Sequence, residues 1–211
     1  MFERPIVMLD FETTGLSPEA GDRITEVAAL RIEAGRVVER FVSLVNCGVR
    51  IPPFIVEYTG ITQQMVDGAP PVEEVVPQLI DFIGADTLAA HNASFDDKFL
   101  RAEAARLGGA CAHTGLVCSL KLSRRVFPGL GSYKLGQLSR ALGIAFKSRA
   151  HRAEADAEVT AELLLHIGRH LGKQYGLDSL DPGLLESINR LAAAKVPRYL
   201  GDYAADLRAR A

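Results

Sequence analysis

The run Pro5-Ile6-Val7-Met8-Leu9-Asp10-Phe11 constrains the fold more than any other segment. It is a short, nearly unbroken apolar stretch closed by the turn-rich Thr13-Thr14-Gly15-Leu16-Ser17-Pro18. Such a pattern predicts a buried strand rather than a helix. The strand would carry Asp10 near its end.

The next segments extend a sheet. Ile24 to Ile32 and Arg36 to Val45 are β-rich runs joined by Glu33-Ala34-Gly35, so they read as an antiparallel hairpin. Beyond Pro70-Pro71, apolar residues at Val75, Val76, Leu79, Ile80 and Ile83 recur at helical spacing and Gly84 stops them. Thr87 to His91 reads as a short strand, followed by a helix N-capped by Ser94 and ended by Gly108-Gly109. Leu116 to Leu120 is a candidate last strand. Helices are expected over Ser132 to Leu142, Ala153 to Leu171 and Leu184 to Ala194. A hairpin followed by strands alternating with helices implies an α/β arrangement, a mixed sheet of about five strands covered by helices. No internal repeat or long linker marks a second domain.

Composition narrows the class of protein. The chain has 211 residues, 48% of them hydrophobic and 24% charged, enough for one substantial core. No apolar run approaches the roughly 20 residues that cross a bilayer, and Met1 to Asp10 lacks a secretory signal pattern. A cytoplasmic location with no membrane partner is the expectation. Cys47, Cys111 and Cys118 are odd in number and form no C-x-x-C, so neither a disulfide framework nor a zinc site is indicated. The formal net charge of -2 conceals an uneven distribution. No acidic residue lies between Glu103 and Glu154, while Arg106, Lys121, Arg124, Arg125, Lys134, Arg140, Lys147, Arg149 and Arg152 are all basic. That interval can contact a phosphate backbone or form a solvated basic face.

Three short elements carry candidate chemistry. Asp10 and Glu12, two positions apart at a strand end, project to one side and can grip a cation. Hard oxygen ligands of this kind suit magnesium, which binds through a few carboxylates plus substrate phosphate. His91-Asn92-Ala93-Ser94-Phe95-Asp96 places another carboxylate at a helix start, where an acid can also simply complement the helix dipole. His151-Arg152-Ala153-Glu154-Ala155-Asp156 sets a histidine five residues before an acid. The two share a face only if the histidine sits in an unwound entry segment.

Together the three elements resemble the DEDDh branch of the DnaQ-like exonuclease superfamily, in order and in separation. Tyr58-Thr59-Gly60-Ile61-Thr62 and Ser132-Tyr133-Lys134-Leu135-Gly136-Gln137-Leu138 are similar to connecting segments of bacterial proofreading subunits and their relatives. The resemblance spans about Ile6 to Leu171. It implies an RNase H-like fold, with an exonuclease domain over 1-175 and a helical extension over 176-211 packed on it or trailing it.

The resemblance further implies two divalent cations, Mg²⁺ or Mn²⁺, held by Asp10, Glu12, Asp96 and Asp156, with Glu12 also counted among the catalytic groups. His151 would be the general base that activates the attacking water, a role suited to imidazole. Thr13, Thr14, Leu16, His91, Asn92, Phe95 and Lys134 would contact substrate, Leu16 as a wedge against the last base. The implied partners are single-stranded DNA or frayed 3′ ends, with a nucleoside monophosphate as product. RNA is the alternative substrate, because the metal chemistry is indifferent to the sugar. Docking to a polymerase or sliding clamp is a competing reading, through a segment such as Gln137 to Leu142. The helical spacing of Leu135, Leu138 and Leu142 assigns that segment to the core instead. Without cations, four carboxylates would repel one another and some would hold protons.

Overall fold

The computed structural model describes residues 2-146 and 151-210, so Lys147 and Arg149 of the basic interval lie outside the described residues. Five strands form one mixed sheet: β1 (Ile6–Thr13), β2 (Ile24–Glu33), β3 (Arg36–Leu44), β4 (Thr87–Ala90) and β5 (Gly115–Cys118), in the order β3-β2-β1-β4-β5. β1 pairs antiparallel with β2 and parallel with β4, so the sheet changes from hairpin to crossover pairing at β1. The β2–β3 turn is tight because Ala34 and Gly35 both take positive φ, 45° and 81°, as a two-residue hairpin requires.

Helices follow in chain order. They are α1 (Pro53–Thr59), α2 (Gln63–Asp67), α3 (Val72–Ile83), α4 (Ser94–Arg106), α5 (Ser119–Val126), α6 (Leu135–Ala141), α7 (Ala153–Tyr175), α8 (Pro182–Arg190) and α9 (Val196–Arg210). Strand residues alternate between two faces. Val7, Leu9, Phe11, Val27 and Ala29 pack against α3 and α4 through Val75, Leu79, Phe99 and Leu100. Ile6, Met8, Ala28 and Leu30 pack on the other face against Leu163, Leu164 and Ile167 of α7. The same core takes in Leu185 and Ile188 of α8 and Leu200 and Ala204 of α9. Parity along β1 therefore sends Asp10 and Glu12 toward the α7 side. None of the described helices is long and apolar enough to cross a membrane.

The two edge strands are handled differently. β3 is mostly exposed and carries Arg36, Glu39 and Arg40, charges that discourage edge-to-edge pairing. At β5, the Asn189 side chain takes the place of a neighbouring strand. Its Oδ1 accepts from the Cys118 N–H at 2.7 Å and its Nδ2 donates to the Cys118 carbonyl at 3.1 Å.

Several local expectations need correction. Ser94 does not cap α4 but is its first residue. Asn92, at φ 70°, makes the turn with its carbonyl accepting from Phe95 N–H at 2.8 Å, so Ala93 occupies the cap position. The expected strand to Leu120 stops at Cys118, because Ser119 begins α5 with no intervening turn. α6 starts at Leu135 rather than Ser132. α7 passes through Gly172 and ends at Gly176, φ 67°. Gly172 is needed there for close approach, since a Cβ would meet the returning Leu177 carbonyl at 2.9 Å.

Candidate active site

The site is built where the carboxyl ends of β1 and β4 meet the start of α7. Carboxylate oxygens of Asp10, Glu12 and Asp156 lie within 4.8 Å of one another. β1 delivers the first two by alternation, and α7 delivers the third from its first turn. Asp96 is drawn to the same place but differently used. It is 3% exposed and its Oδ1 accepts from the Phe11 N–H at 3.2 Å, so α4 is tied to β1 between the two acids of that strand.

One residue outside the three motifs, Glu26, holds this arrangement together with Arg152 of the third. Glu26 stands opposite Glu12 in the β1–β2 register and is 3% exposed. Its carboxylate accepts from Arg152 Nε at 3.0 and 3.1 Å and from the Ala153 N–H at 2.9 Å. Glu26 thus caps α7 from the sheet and fixes where Asp156 points, while Arg152 offsets the repulsion between Glu26 and Glu12. The sequence signal was an acid inside an otherwise apolar strand, because a buried carboxylate needs a partner.

His151 sits in the unwound entry to α7 at φ 64°, its N–H donating to Asp156 Oδ2 at 3.1 Å. Its ring lies against Tyr58 of α1, with centroids 4.0 Å apart and planes inclined by 33°. Tyr58 was legible only as part of a connecting segment.

The remaining predicted residues divide into three groups. His91, Asn92 and Lys134 line a cleft of about 1110 Å³ together with Asp10, Asp156 and His151. Both ring nitrogens of His91 are engaged, Nδ1 with Ser119 Oγ at 2.9 Å and Nε2 donating to the Tyr133 carbonyl at 3.0 Å. Burial lowers its pKa, so a neutral ring braces the cleft wall. Leu16 projects, 78% exposed, from a turn in which Asp22 crowds Gly15 so closely that a Cβ would collide with its carboxylate. Thr13 and Thr14 are buried, with hydroxyls bonded to the Gly15 carbonyl (2.6 Å) and the Arg23 N–H (3.0 Å), so they shape that turn. Phe95 is half-buried against Phe99, 5.0 Å between centroids.

The acid-free interval supplies the opposite wall. Arg124, Lys134 and Arg140 line the cleft, whereas Arg106 is turned away onto Glu103 and the Pro18 carbonyl. Leu138 is fully buried in α6, and Leu135 and Leu142 pack partly buried against the same core.

Electrostatics show what this centre requires. Burial, then Asp96, Asp156, Glu12 and Glu26, hold the Asp10 carboxyl well above the usual range. Glu12 is pushed up to about 8 by burial and by Asp156 and Glu26, with Arg152 opposing. Burial also raises Asp96 against the Phe11 N–H, and Asp156 against the His151 N–H. Oxygen donors that resist ionisation when alone fit a divalent cation, which replaces the retained protons.

A pH dependence follows. Folded Glu12 keeps its proton to about pH 8, whereas an unfolded chain releases it near 4.5. The native state then binds more protons across that window, so the metal-free fold loses stability as pH rises through it. A divalent cation removes the penalty. Thermal melts in chelator should therefore fall as pH is raised, and the Mg²⁺-induced rise in Tm should be larger at about pH 8 than at about pH 5.5. An increment independent of pH would contradict this account.

A carboxylate cluster beside a basic cleft on the carboxyl edge of a mixed sheet is the equipment of a metal-using nuclease. Comparison with known proteins narrows the class. The family profile described as Exonuclease matches residues 7–164. The DNA polymerase III subunit epsilon of Aquifex aeolicus is 34% identical over 92% of this chain and 93% of its own length. The 3′-5′ exonuclease DinG of Bacillus subtilis is 39% identical over 79% of this chain, which spans only 18% of that protein. Among solved structures, Exonuclease X in complex with 5′ overhanging duplex DNA superposes with a TM-score of 0.68 at 27% identity, covering 87% of this chain and 99% of that one. The chain belongs to the exonuclease family, in its DnaQ-like 3′→5′ group, and its five-stranded sheet flanked by helices is the RNase H-like fold.

Proposed function

We propose that the protein hydrolyses the terminal phosphodiester at the 3′ end of DNA and releases nucleoside 5′-monophosphates. The observation that carries this reading is the Asp10, Glu12, Asp156 cluster opening into a cleft walled by Arg124, Lys134 and Arg140. Exonuclease X, a structural neighbour, has been seen in complex with 5′ overhanging duplex DNA, which supports DNA as the substrate.

In this proposal Asp10, Glu12 and Asp156, with Asp96 behind them, hold two divalent cations, Mg²⁺ or Mn²⁺. When bound, these neutralise the carboxylates and stabilise the attacking and leaving oxygens of the displacement. His151 accepts a proton from the attacking water as its oxygen bonds to phosphorus, and the bond from phosphorus to the 3′ oxygen of the penultimate nucleotide breaks, that oxygen taking a proton from solvent water to become the new 3′-hydroxyl. Leu16 wedges beside the last base, Thr13 and Thr14 form its turn, and Asn92, Phe95 and Lys134 contact the strand, with His91 bracing that wall. Residues 176-211 are taken as part of the same folding unit, and the cytoplasm as the place of action.

Sugar preference tests the substrate assignment. With Mg²⁺, a DNA oligonucleotide should be shortened faster than the RNA of the same sequence. Faster shortening of RNA would transfer the reading to an exoribonuclease.

A further inference from the structure

A second pocket, of about 390 Å³, lies along β5 beside the cleft, and the proposed function does not use it. The two share their dividing walls. His91 and Asn92 line the cleft while Ala93 and Ser94, next in the chain, line the pocket; Arg124 of α5 faces the cleft while Lys121, one turn earlier, faces the pocket. Residues three apart on a helix lie about 5–6 Å from each other. Three cations line this pocket, Arg101 from α4, Lys121 from α5 and Arg190 from α8, against one carboxylate, Glu186.

Their pairing differs. Arg101 meets Asp97 at 2.8 Å and Arg190 meets Glu186 at 3.1 Å, while Lys121 is exposed and has no ion pair among the described residues. His113 also lines the pocket, with a buried Nδ1 that has no hydrogen-bond partner among the described residues.

We infer that this pocket is a second phosphate-binding subsite, which holds the backbone of a single strand upstream of the bond being cut. The inference rests on the proposed nuclease reading. β4 and β5 are successive neighbours of β1 at about 4.8 Å spacing, so the pocket along β5 lies at least roughly 10 Å from Asp10. That span is at least about three stacked nucleotides at 3.4 Å each. The strand passes from Lys134 and Arg124 over α5 to Lys121 and Arg190. Because α8 lies beyond residues 7–164, the helical tail contributes a substrate contact that the matched nuclease segment lacks.

The test is binding of fluorescent single-stranded DNA in Ca²⁺, across a salt series, to the parent and to Lys121→Gln/Arg190→Gln. Both side chains end in solvent, so the melting temperature serves as the folding control. For a twelve-nucleotide strand the variant should bind about 5- to 10-fold more weakly, and its plot of log affinity against log salt should flatten by about 1.4, or 0.7 for each lost phosphate. The loss should be several-fold smaller for a dinucleotide, which is too short to reach the pocket. Lys121→Glu should weaken the long strand more than Lys121→Gln alone. An unchanged affinity and slope, or equal losses for both lengths, would overturn the inference. A parent protein that binds but hydrolyses no DNA would instead overturn the nuclease reading, and the salt slope would still decide the pocket.

Discussion

Asp10→Asn is expected to lower the rate of nucleotide release by at least about a thousandfold, corresponding to about 4 kcal/mol of lost transition-state stabilisation. Asp10 is the carboxylate that every other acid of the centre acts upon. An amide of nearly the same shape keeps the packing but removes the charge that attracts a cation. The same substitution should raise the metal-free melting temperature at about pH 8, because one member of a mutually repelling cluster has gone. A stabilised but inactive variant separates a role in chemistry from a role in folding. Retention of a tenth of parental activity would remove Asp10 from the centre of the mechanism.

His151→Asn should lower kcat by about 10²- to 10⁴-fold, the range ascribed to a positioned general base. Asparagine is the suitable replacement. His151 adopts φ 64°, and asparagine tolerates that left-handed region better than alanine. The backbone N–H that donates to Asp156 is retained, and α7 is still anchored by Glu26, Arg152 and Ala153. The Mg²⁺-induced gain in Tm should therefore stay close to that of the parent. Near-parental turnover with that gain intact would show that another group takes the proton.

Much of this centre was legible in the sequence because its chemistry is local. Asp10 and Glu12 sit on one strand, where alternation alone places them together. The expectation that His151 lies in an unwound entry was met, since α7 begins two residues later at Ala153. The hairpin was legible down to its turn, Ala34-Gly35.

What escaped depends on partners distant in the chain. The Arg152–Glu26 pair joins residues 126 apart, and the His151–Tyr58 stack joins a loop to α1. No periodicity reports either one. α1 and α2 were read only as connecting chain because they are short, seven and five residues, and rest on the small cluster of Cys47, Ile51, Ile61 and Val66 rather than on a long apolar stripe. The first two residues of α5, Ser119 and Leu120, were read as strand because Val117 and Cys118 continue straight into Ser119 with no breaker between them, and the rest of α5 was left unassigned. Within the helical extension expected over 176-211, α9 was not singled out because its apolar contacts, Val196, Leu200 and Ala204, are thinly spread in a charged helix.

The central claim is tested most directly by incubating the protein with Mg²⁺ and single-stranded DNA labelled at its 5′ end or at its 3′ end, alongside Asp10→Asn. Removal of nucleotides from the 3′ end predicts a ladder of shrinking 5′-labelled products and immediate release of the 3′ label as mononucleotide, both absent with chelator and in the variant. A ladder on the 3′-labelled strand, or cleavage that persists in chelator, would contradict the account.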